Sequence, residues 1–334
     1  MSIRLAATAY ALPPTSETVQ SILEHERDRV AAALEAVGPE LRRRALAELG
    51  IERVWTCDGL DPYVLMRLAA DEALAKAGVP GQAVDLIVDY STLPGDKGVS
   101  APLAHRLASE LGAETCLNLS FKFGGCAGFH LAVRLATSLM HTDTRLTTAL
   151  LVATDSPPPG NRSLLPITVQ GDAGSAVVLR RDAGVGPEIV ATEVLTVGAL
   201  HRVIELVQGP GGRGLELRVD APQIEQAVMP IYYLHFHRLI HKILTDLGLA
   251  IDEIDHVVYS NLSRSDRDGF QRAFRFPAGK LDAPALRDCG HTFASDLVLN
   301  YTEIERSGRV RGGQWVLFAS AGIGFTWGVT LART

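Results

Sequence analysis

Three residues carry the chemistry that this sequence could perform: Cys126, His291 and Asp296. Cys126 lies among small residues in the stretch 124–128, just before a segment with helical periodicity. The unpaired N–H groups at a helix N-terminus stabilise a thiolate, which is the reactive form of a cysteine nucleophile. A buried structural cysteine is the other interpretation of Cys126, and the local sequence does not decide between the two.

His291 and Asp296 lie five positions apart, where a second helix is predicted to begin. A carboxylate in the first turn could hold one imidazole nitrogen and leave the other free to exchange a proton with a thiol. Without that role His291 is an ordinary loop histidine. Asp296 would then only favour the start of the helix, with Ser295 as its cap.

The sequence shows no pattern typical of a metal site. The four cysteines have neither C-x-x-C nor zinc-type spacing, and three of them lack the surroundings of Cys126. Three histidines share one predicted helix, but no cysteine or acidic partner accompanies them, so we interpret them as an ordinary helix surface. We therefore expect neither a metal ion nor another cofactor.

The composition excludes several classes of protein. The chain has 334 residues, is 47% hydrophobic and carries a net charge of −6, which excludes a basic nucleic-acid-binding surface and a disordered chain. No apolar run approaches the ~20 residues of a membrane helix, and the N-terminus is a poor secretory signal. We therefore expect a cytoplasmic protein with a large buried core.

Short apolar strands alternate with helical segments along the chain, which predicts an α/β sheet covered on both faces. The predicted strands are residues 84–90, 148–154, 174–179, 254–259 and 314–319. The predicted helices are residues 62–77, 101–111, 128–139, 223–247 and 295–305. Loops rich in proline and glycine are predicted at 156–161 and 208–214.

Two pairs of segments indicate a duplicated fold. Residues 78–88 resemble residues 248–258 at an offset of 170, and residues 148–154 resemble residues 314–320 at an offset of 166. Similar offsets for two pairs favour an internal repeat, although helix–turn–strand units resemble one another in any case. Duplicated halves would bring Cys126 and His291 towards one shared interface.

Five short blocks follow one another along the chain: residues 49–53, 77–88, 126–129, 171–179 and 322–328. Their order resembles that of the ketoacyl-ACP synthase III group of the thiolase superfamily, whose nucleophile motif matches Cys126-Ala-Gly-Phe129. The resemblance implies a thiolase fold: two duplicated βαβαβαββ halves in a five-layered α-β-α-β-α structure, usually a homodimer. We place the half that carries Cys126 at 1–185 and the half that carries His291 and Asp296 at 186–334.

Two positions depart from the members of that group that form carbon–carbon bonds. Those members use Cys, His and Asn, but Ser260 stands where their His is expected and His291 where their Asn is expected. The missing His is a donor that stabilises the enolate of a malonyl thioester. His291 with Asp296 would supply a general base instead.

The altered pattern resembles the acyltransferases of natural-product pathways in the same group, which form esters or amides with a Cys-His-Asp arrangement. The resemblance implies Cys126 as nucleophile, His291 as base and Asp296 as its orienting group. It also implies an oxyanion hole made by the N–H groups of Cys126 and Gly322. Candidate residues for the donor or acceptor pocket are Ser260, Asn261 and Phe293.

The resemblance also implies the partners. The donor would be an acyl thioester of an acyl carrier protein or of coenzyme A, and the acceptor a hydroxyl or amine of a small molecule such as an antibiotic sugar. Arg44 aligns with the adenine-stacking tryptophan of the family, which favours a carrier-protein donor. A solvated arginine surface explains the arginines at 42–44, 264 and 267 equally well.

Three other functions stay open. In a decarboxylative condensing synthase, Ser260 or Asn261 would stabilise an enolate together with His291, and a malonyl donor would release CO₂. A thioester hydrolase would form product without an acceptor. A non-catalytic subunit with a thiolase fold would form no acyl-enzyme at Cys126.

Overall fold

The computed structural model describes residues 2–57, 59–93, 102–122, 124–182, 184–209, 214–277 and 279–334. The start of the predicted helix 101–111 and most of the predicted loop 208–214 lie outside the described residues. The strands are β1 (Ile3–Ala11), β2 (Thr15–Thr18), β3 (Arg53–Thr56), β4 (Leu86–Asp89), β5 (Leu117–Ser120), β6 (Thr148–Asp155), β7 (Ser163–Leu164), β8 (Thr168–Val169), β9 (Ala173–Arg181), β10 (Glu188–Thr196), β11 (Ile204–Gln208), β12 (Leu215–Val219), β13 (His256–Tyr259), β14 (Leu281–Asp282), β15 (Trp315–Gly322) and β16 (Thr326–Arg333).

The helices lie close to the predicted segments, with several more between them. They are α1 (Val19–His25), α2 (Arg27–Glu35), α3 (Pro39–Ala47), α4 (Tyr63–Ala77), α5 (Leu103–Leu111), α6 (Gly128–Thr142), α7 (Ala221–Gln223), α8 (Met229–Leu247), α9 (Arg264–Phe274), α10 (Leu286–Cys289) and α11 (Asp296–Arg306). No helix among the described residues is long and apolar enough to span a bilayer.

The main sheet repeats one arrangement twice. From its edge to its centre the first half runs β5-β4-β6-β9-β1, and the second half runs β14-β13-β15-β16-β10 in the matching positions. In each half the outer three strands are parallel and the inner two antiparallel to their neighbours. The halves join where β1 pairs with β10, at Arg4 and Glu188. This topology confirms the predicted duplication.

The helices form three layers around these strands. One core cluster contains side chains of α6 and α11 together with strands of both halves, so these two helices form the central layer. A second cluster packs α4 and α5 on the first half, and a third packs α8 and α9 on the second half. The result is the predicted five-layered α-β-α-β-α arrangement.

The matching sequence segments of the two halves have a physical origin. Helices α4 and α8 both end at a glycine in the left-handed conformation, Gly78 with φ +62° and Gly248 with φ +67°. A residue without a Cβ adopts this conformation without strain and turns the chain towards the next strand. The strands that follow, β4 and β13, are buried along their whole length, as expected for parallel strands covered on both faces.

Some elements differ from the sequence-based expectation. The N-terminal segment forms β1, a central strand paired with β9 and β10. The predicted helix 223–247 is divided, because a π-helical segment, Ile224–Val228, precedes α8. Pro230 in the first turn of α8 has no N–H and would clash with the carbonyl four residues earlier, which disfavours regular α-helix there. The division of the chain at 185/186 stays a prediction; it falls between β9 and β10.

Candidate active site

The nucleophile candidate lies at the start of the central helix α6. Cys126 sits in a 3₁₀ turn, Gly125–Ala127, that leads directly into α6, and the residue is 4% exposed. Gly125 has φ +56°, and a Cβ there would lie 2.3 Å from the backbone N of Ile323. The small residues around Cys126 are therefore required by a tight turn pressed against β15, and they place the thiol at a helix N-terminus.

The base candidate is fixed by the backbone of the other half. The N–H of His291 donates to the carbonyl of Val169 over 3.0 Å, and its own carbonyl accepts from Gly171 over 3.0 Å. His291 Nε2 lies 3.2 Å from Cys126 Sγ, and His291 Nδ1 lies 2.7 Å from Asp296 Oδ2. The structure thus brings the three predicted residues into one hydrogen-bonded chain, although Cys126 and His291 belong to different halves.

Both oxygens of the Asp296 carboxylate are engaged. Oδ1 accepts from the N–H of Thr292 over 2.7 Å and from its hydroxyl over 2.8 Å. Oδ2 accepts from the N–H of Asn261 over 2.7 Å in addition to its contact with His291. Asp296 is 1% exposed, so these donors replace water and hold the carboxylate in one orientation. Asp296 can therefore fix the imidazole with Nε2 directed at the thiol.

Opposing effects act on the two groups that exchange the proton. Burial alone lowers the pKa of His291, but the negative charges of the Cys126 thiolate and of Asp296 outweigh it and hold that pKa well above its usual value. Burial raises the pKa of the Cys126 thiol, and positive charge on His291 opposes this rise. The thiolate is therefore stabilised chiefly when the proton rests on His291, as an ion pair backed by Asp296.

Gly322 lies against the backbone of the nucleophile turn. It is the last residue of β15, and a Cβ at this position would lie 2.2 Å from the backbone N of Cys126. Only glycine fits such a contact. The oxyanion hole made by Cys126 and Gly322 stays a prediction, and their close approach is compatible with it.

A cavity of about 230 Å³ reaches the reacting groups. Cys126, His291, Gly322 and Phe293 line it. Phe293 has φ +54°, a strained conformation for a bulky residue, and such strain often occurs at functional sites. The rest of the cavity is lined mostly by apolar residues. These include Leu41, Ala45, Leu49, Leu164, Pro166, Ile167, Ile204, Ile224, Val228, Met229, Leu262, Ala321, Ile323 and Phe325.

The structure corrects two of the predicted pocket residues. Neither Ser260 nor Asn261 is among the described residues that line the cavity. Asn261 is fully buried, and its side-chain oxygen accepts a hydrogen bond from Asn300 over 2.8 Å. Its backbone N–H instead supports Asp296, so Asn261 acts behind the site, not within the pocket.

Several polar residues at the site are not predicted from the sequence. Thr292, which binds Asp296, lies between the predicted base and acid and could have been found there. Gln170 and Asp266 also line the cavity. In the sequence, Gln170 looks like an ordinary polar residue of a strand, and Asp266 looks like an acidic residue that favours the start of a helix. Ser320 donates to the carbonyl of Cys126 over 2.7 Å, and no sequence signal connects two residues so far apart in the chain.

Only some of the arginines singled out in the sequence lie at the cavity. Arg44 lines it with its side chain 34% exposed, and the exposed Arg272 lines it as well. Arg264 instead donates to the carbonyl of Ala47, and Arg267 pairs with its neighbour Asp268. Arg44 already pairs with Glu40 and Glu48, at 3.4 and 3.8 Å, so Arg272 is the better placed of the two arginines for an anionic part of a substrate.

Comparison with known proteins decides the family. Residues 244–334 match the domain family described as 3-oxoacyl-[acyl-carrier-protein (ACP)] synthase III C terminal. A beta-ketoacyl-[acyl-carrier-protein] synthase III of Rhodospirillum rubrum is 30% identical over 295 residues, which cover 84% of this chain and 87% of that protein. The chain belongs to the ketoacyl-ACP synthase III family. As a member of this family, it is an acyl-transferring enzyme of the thiolase superfamily.

Solved structures of other proteins show the same fold. The 3-oxoacyl-(acyl carrier protein) synthase III of Pseudomonas aeruginosa PAO1 has a TM-score of 0.79 at 21% identity, covering 100% of this chain and 98% of that one. A protein named ChlB3, described as an acyltransferase, has a TM-score of 0.80 at 20% identity, covering 100% and 98%. At these identities the likeness concerns the fold alone, and it confirms the predicted thiolase fold.

Proposed function

We propose that the chain is an acyltransferase that forms an ester or amide through an acyl-Cys126 intermediate. The donor is a thioester of an acyl carrier protein or of coenzyme A, and the acceptor is a hydroxyl or amine of a small molecule. The observation that carries this proposal is the hydrogen-bonded chain from Cys126 Sγ through His291 to Asp296. It supplies a thiol nucleophile, a base in contact with it and a buried acid that orients the base.

The first half-reaction loads the enzyme. His291 Nε2 takes the proton of Cys126, and the thiolate attacks the thioester carbonyl, whose oxyanion is stabilised by the N–H groups of Cys126 and Gly322. The C–S bond to the donor breaks, the departing thiolate takes the proton from His291, and the acyl group remains on Cys126. The exposed Arg272 at the cavity suits the phosphate of a pantetheine arm, which both donors share.

The second half-reaction transfers the acyl group. The acceptor attacks the carbonyl of acyl-Cys126 while His291 removes its proton, and Asp296 stabilises the imidazolium. The tetrahedral intermediate collapses, and the Cys126 thiolate leaves and regains the proton. An alcohol is a poor nucleophile at neutral pH, so general-base help, typically worth ~100- to 10,000-fold, is needed more here than in the loading step.

A decarboxylative condensing synthase is the second candidate, because the relatives of this chain are named beta-ketoacyl-ACP synthase III. Two observations weigh against it. Ser260, at the position of the family His, does not line the described cavity, and its buried hydroxyl lacks a hydrogen-bond partner. The position of the family Asn holds His291, which is already engaged by Asp296. A homodimer, a cytoplasmic location and a role in polyketide or antibiotic biosynthesis stay predictions.

The test is intact-mass spectrometry with a panel of acyl thioesters. We expect a mass increase equal to the acyl group that is abolished by Cys126→Ala and kept by the matched control Cys116→Ala. His291→Ala should load slowly and transfer little to an added acceptor. Failure to form an adduct with any donor would exclude the proposal, and stoichiometric CO₂ release from a malonyl donor with a β-ketoacyl product would establish the second candidate.

A further inference from the structure

Gln170 is held rigidly next to the catalytic base. Its N–H donates to the carbonyl of Arg162 over 2.8 Å, and its own carbonyl accepts from the guanidinium of Arg162 over 3.4 Å. Gln170 also forms an isolated parallel bridge with His291. The backbone of Gln170 is therefore fixed, and the residue lines the cavity together with His291.

The side-chain amide of Gln170 has no partner within the protein. The residue is 0% exposed, and neither Oε1 nor Nε2 makes a hydrogen bond. A buried polar group without a partner is costly, and native proteins seldom keep one without a functional reason. Gln170 lines the same cavity as Cys126 and His291, so a group of a bound substrate can supply the partner that the protein does not.

The surroundings of the amide indicate the chemistry of that group. The neighbouring parts of the chain, Leu164, Pro166 and Ile167, line the cavity with apolar side chains. Apart from the pair Cys126 and His291 themselves, the lining residues with a carboxyl or guanidinium group are Arg44 of α3 and Asp266 and Arg272 of α9. An amide is neutral and both donates and accepts, so it matches an uncharged hydroxyl, carbonyl or amide of the ligand.

We propose that Gln170 is a specificity-determining residue that selects substrates with an uncharged hydrogen-bonding group near the acyl carbon. This inference rests on the proposed function only in taking the cavity as the acyl-transfer site. The hydrogen-bonding group can belong to the acyl chain or to the acceptor, since both must reach Cys126 and His291. A site that hydrogen-bonds a substrate rejects the analogue that lacks the group, because its own polar atoms are then left unpaired.

The test compares matched ligands in binding, so that it does not depend on turnover. Calorimetry with the Cys126→Ala protein compares 3-hydroxybutyryl- with butyryl-pantetheine for the acyl source, and 1,2-propanediol with 1-propanol for the acceptor source. We expect at least a tenfold preference for the hydroxylated member of one pair. Adding Gln170→Met should reduce that preference at least fivefold, whereas the exposed control Gln223→Met should keep it.

Stability gives an independent readout. Gln170→Met removes two unpaired polar atoms at nearly constant volume, so the Tm of the free protein should stay equal or rise. A fall in Tm with unchanged preference in both ligand pairs would show a structural role and overturn the inference. The proposed function is tested separately, by the loading of Cys126 with thioesters. Loading can fail while the ligand preference due to Gln170 is observed, and the reverse can also occur.

Discussion

At the scale of single residues, the site depends on a carboxylate with no freedom. Asp296 accepts from Thr292, Asn261 and His291, and each contact removes one alternative orientation. The imidazole is then held with Nε2 at 3.2 Å from Cys126 Sγ. In the proposed mechanism His291 can act as a base because this acid, five residues further along the chain, fixes its imidazole.

Asp296→Asn tests this dependence. The amide cannot stabilise the imidazolium, so we expect the loading of Cys126 to slow by about 10²- to 10⁴-fold. Because Asp296 raises the pKa of His291, its loss should lower that pKa and move the acid limb of the rate profile to lower pH. Single-turnover loading between pH 5 and pH 9 measures both effects. The exposed Asp288→Asn is the control, and an unchanged profile for Asp296→Asn would contradict the assignment.

At the scale of elements, strand β15 holds the turn that carries the nucleophile. Ser320 donates to the carbonyl of Cys126, and the buried His130 of α6 contacts Ser320 through Nε2 over 3.1 Å and Thr330 through Nδ1 over 2.8 Å. Burial lowers the pKa of His130 to about 3, so its imidazole is neutral. The turn, the helix and two strands of the second half are thus linked by neutral hydrogen bonds.

Gly322→Ala tests the contact between β15 and the turn. A Cβ at position 322 would lie 2.2 Å from the backbone N of Cys126, so the turn must move. We expect the rate of acyl-enzyme formation to fall at least ~100-fold, because the oxyanion donors and the thiol lose their alignment. Gly312→Ala is the matched control, since a Cβ there meets no atom within 4 Å. Loading of Gly322→Ala at the wild-type rate would refute the role of this contact.

The sequence predicted the elements whose local pattern is strong. Strand β6 is a continuous apolar run, and α6 follows a cluster of small residues, so both were predicted within a few residues. Strand β1 was missed because its alanines have low β-propensity and only its pairing with β9 and β10 makes it a strand. Gln170 and Ser320 were missed for the same kind of reason, since their roles depend on partners more than 100 positions away.

At the scale of the whole molecule, the two halves share one interior. The central core cluster takes side chains from both, including Phe129 of α6 and Leu297 of α11. A buried acid lies at the end of strand β6: Asp155 is 1% exposed and accepts from the N–H of Leu93 over 2.8 Å. Burial raises the pKa of Asp155 to about 7, so folding favours its protonated form.

Asp155 therefore makes stability depend on pH. Its folded-state pKa lies above the usual value of 3.8, so its contribution is complete below about pH 4 and is lost as pH rises through about 7. Asp155→Asn cannot ionise, and we expect its free energy of unfolding to rise relative to wild type by about 1–4 kcal/mol between pH 4 and pH 8. Denaturant unfolding at both pH values measures this. Asp246→Asn, at an exposed position, is the control for the substitution itself. The prediction is refuted if the difference in unfolding free energy between Asp155→Asn and wild type is the same at pH 4 and pH 8.

In the proposed mechanism, the division of the reacting groups between the two halves also determines when activity begins during synthesis. The nucleophile precedes its base by 165 positions, so a ribosome completes the thiol long before it makes the imidazole. A nascent first half carries a cysteine with no proton acceptor from His291 and no Gly322 backbone against its turn. Such a chain is an ordinary thiol towards cellular thioesters. In the proposed mechanism, acyl transfer therefore begins only when β13–β16 have folded against the shared core.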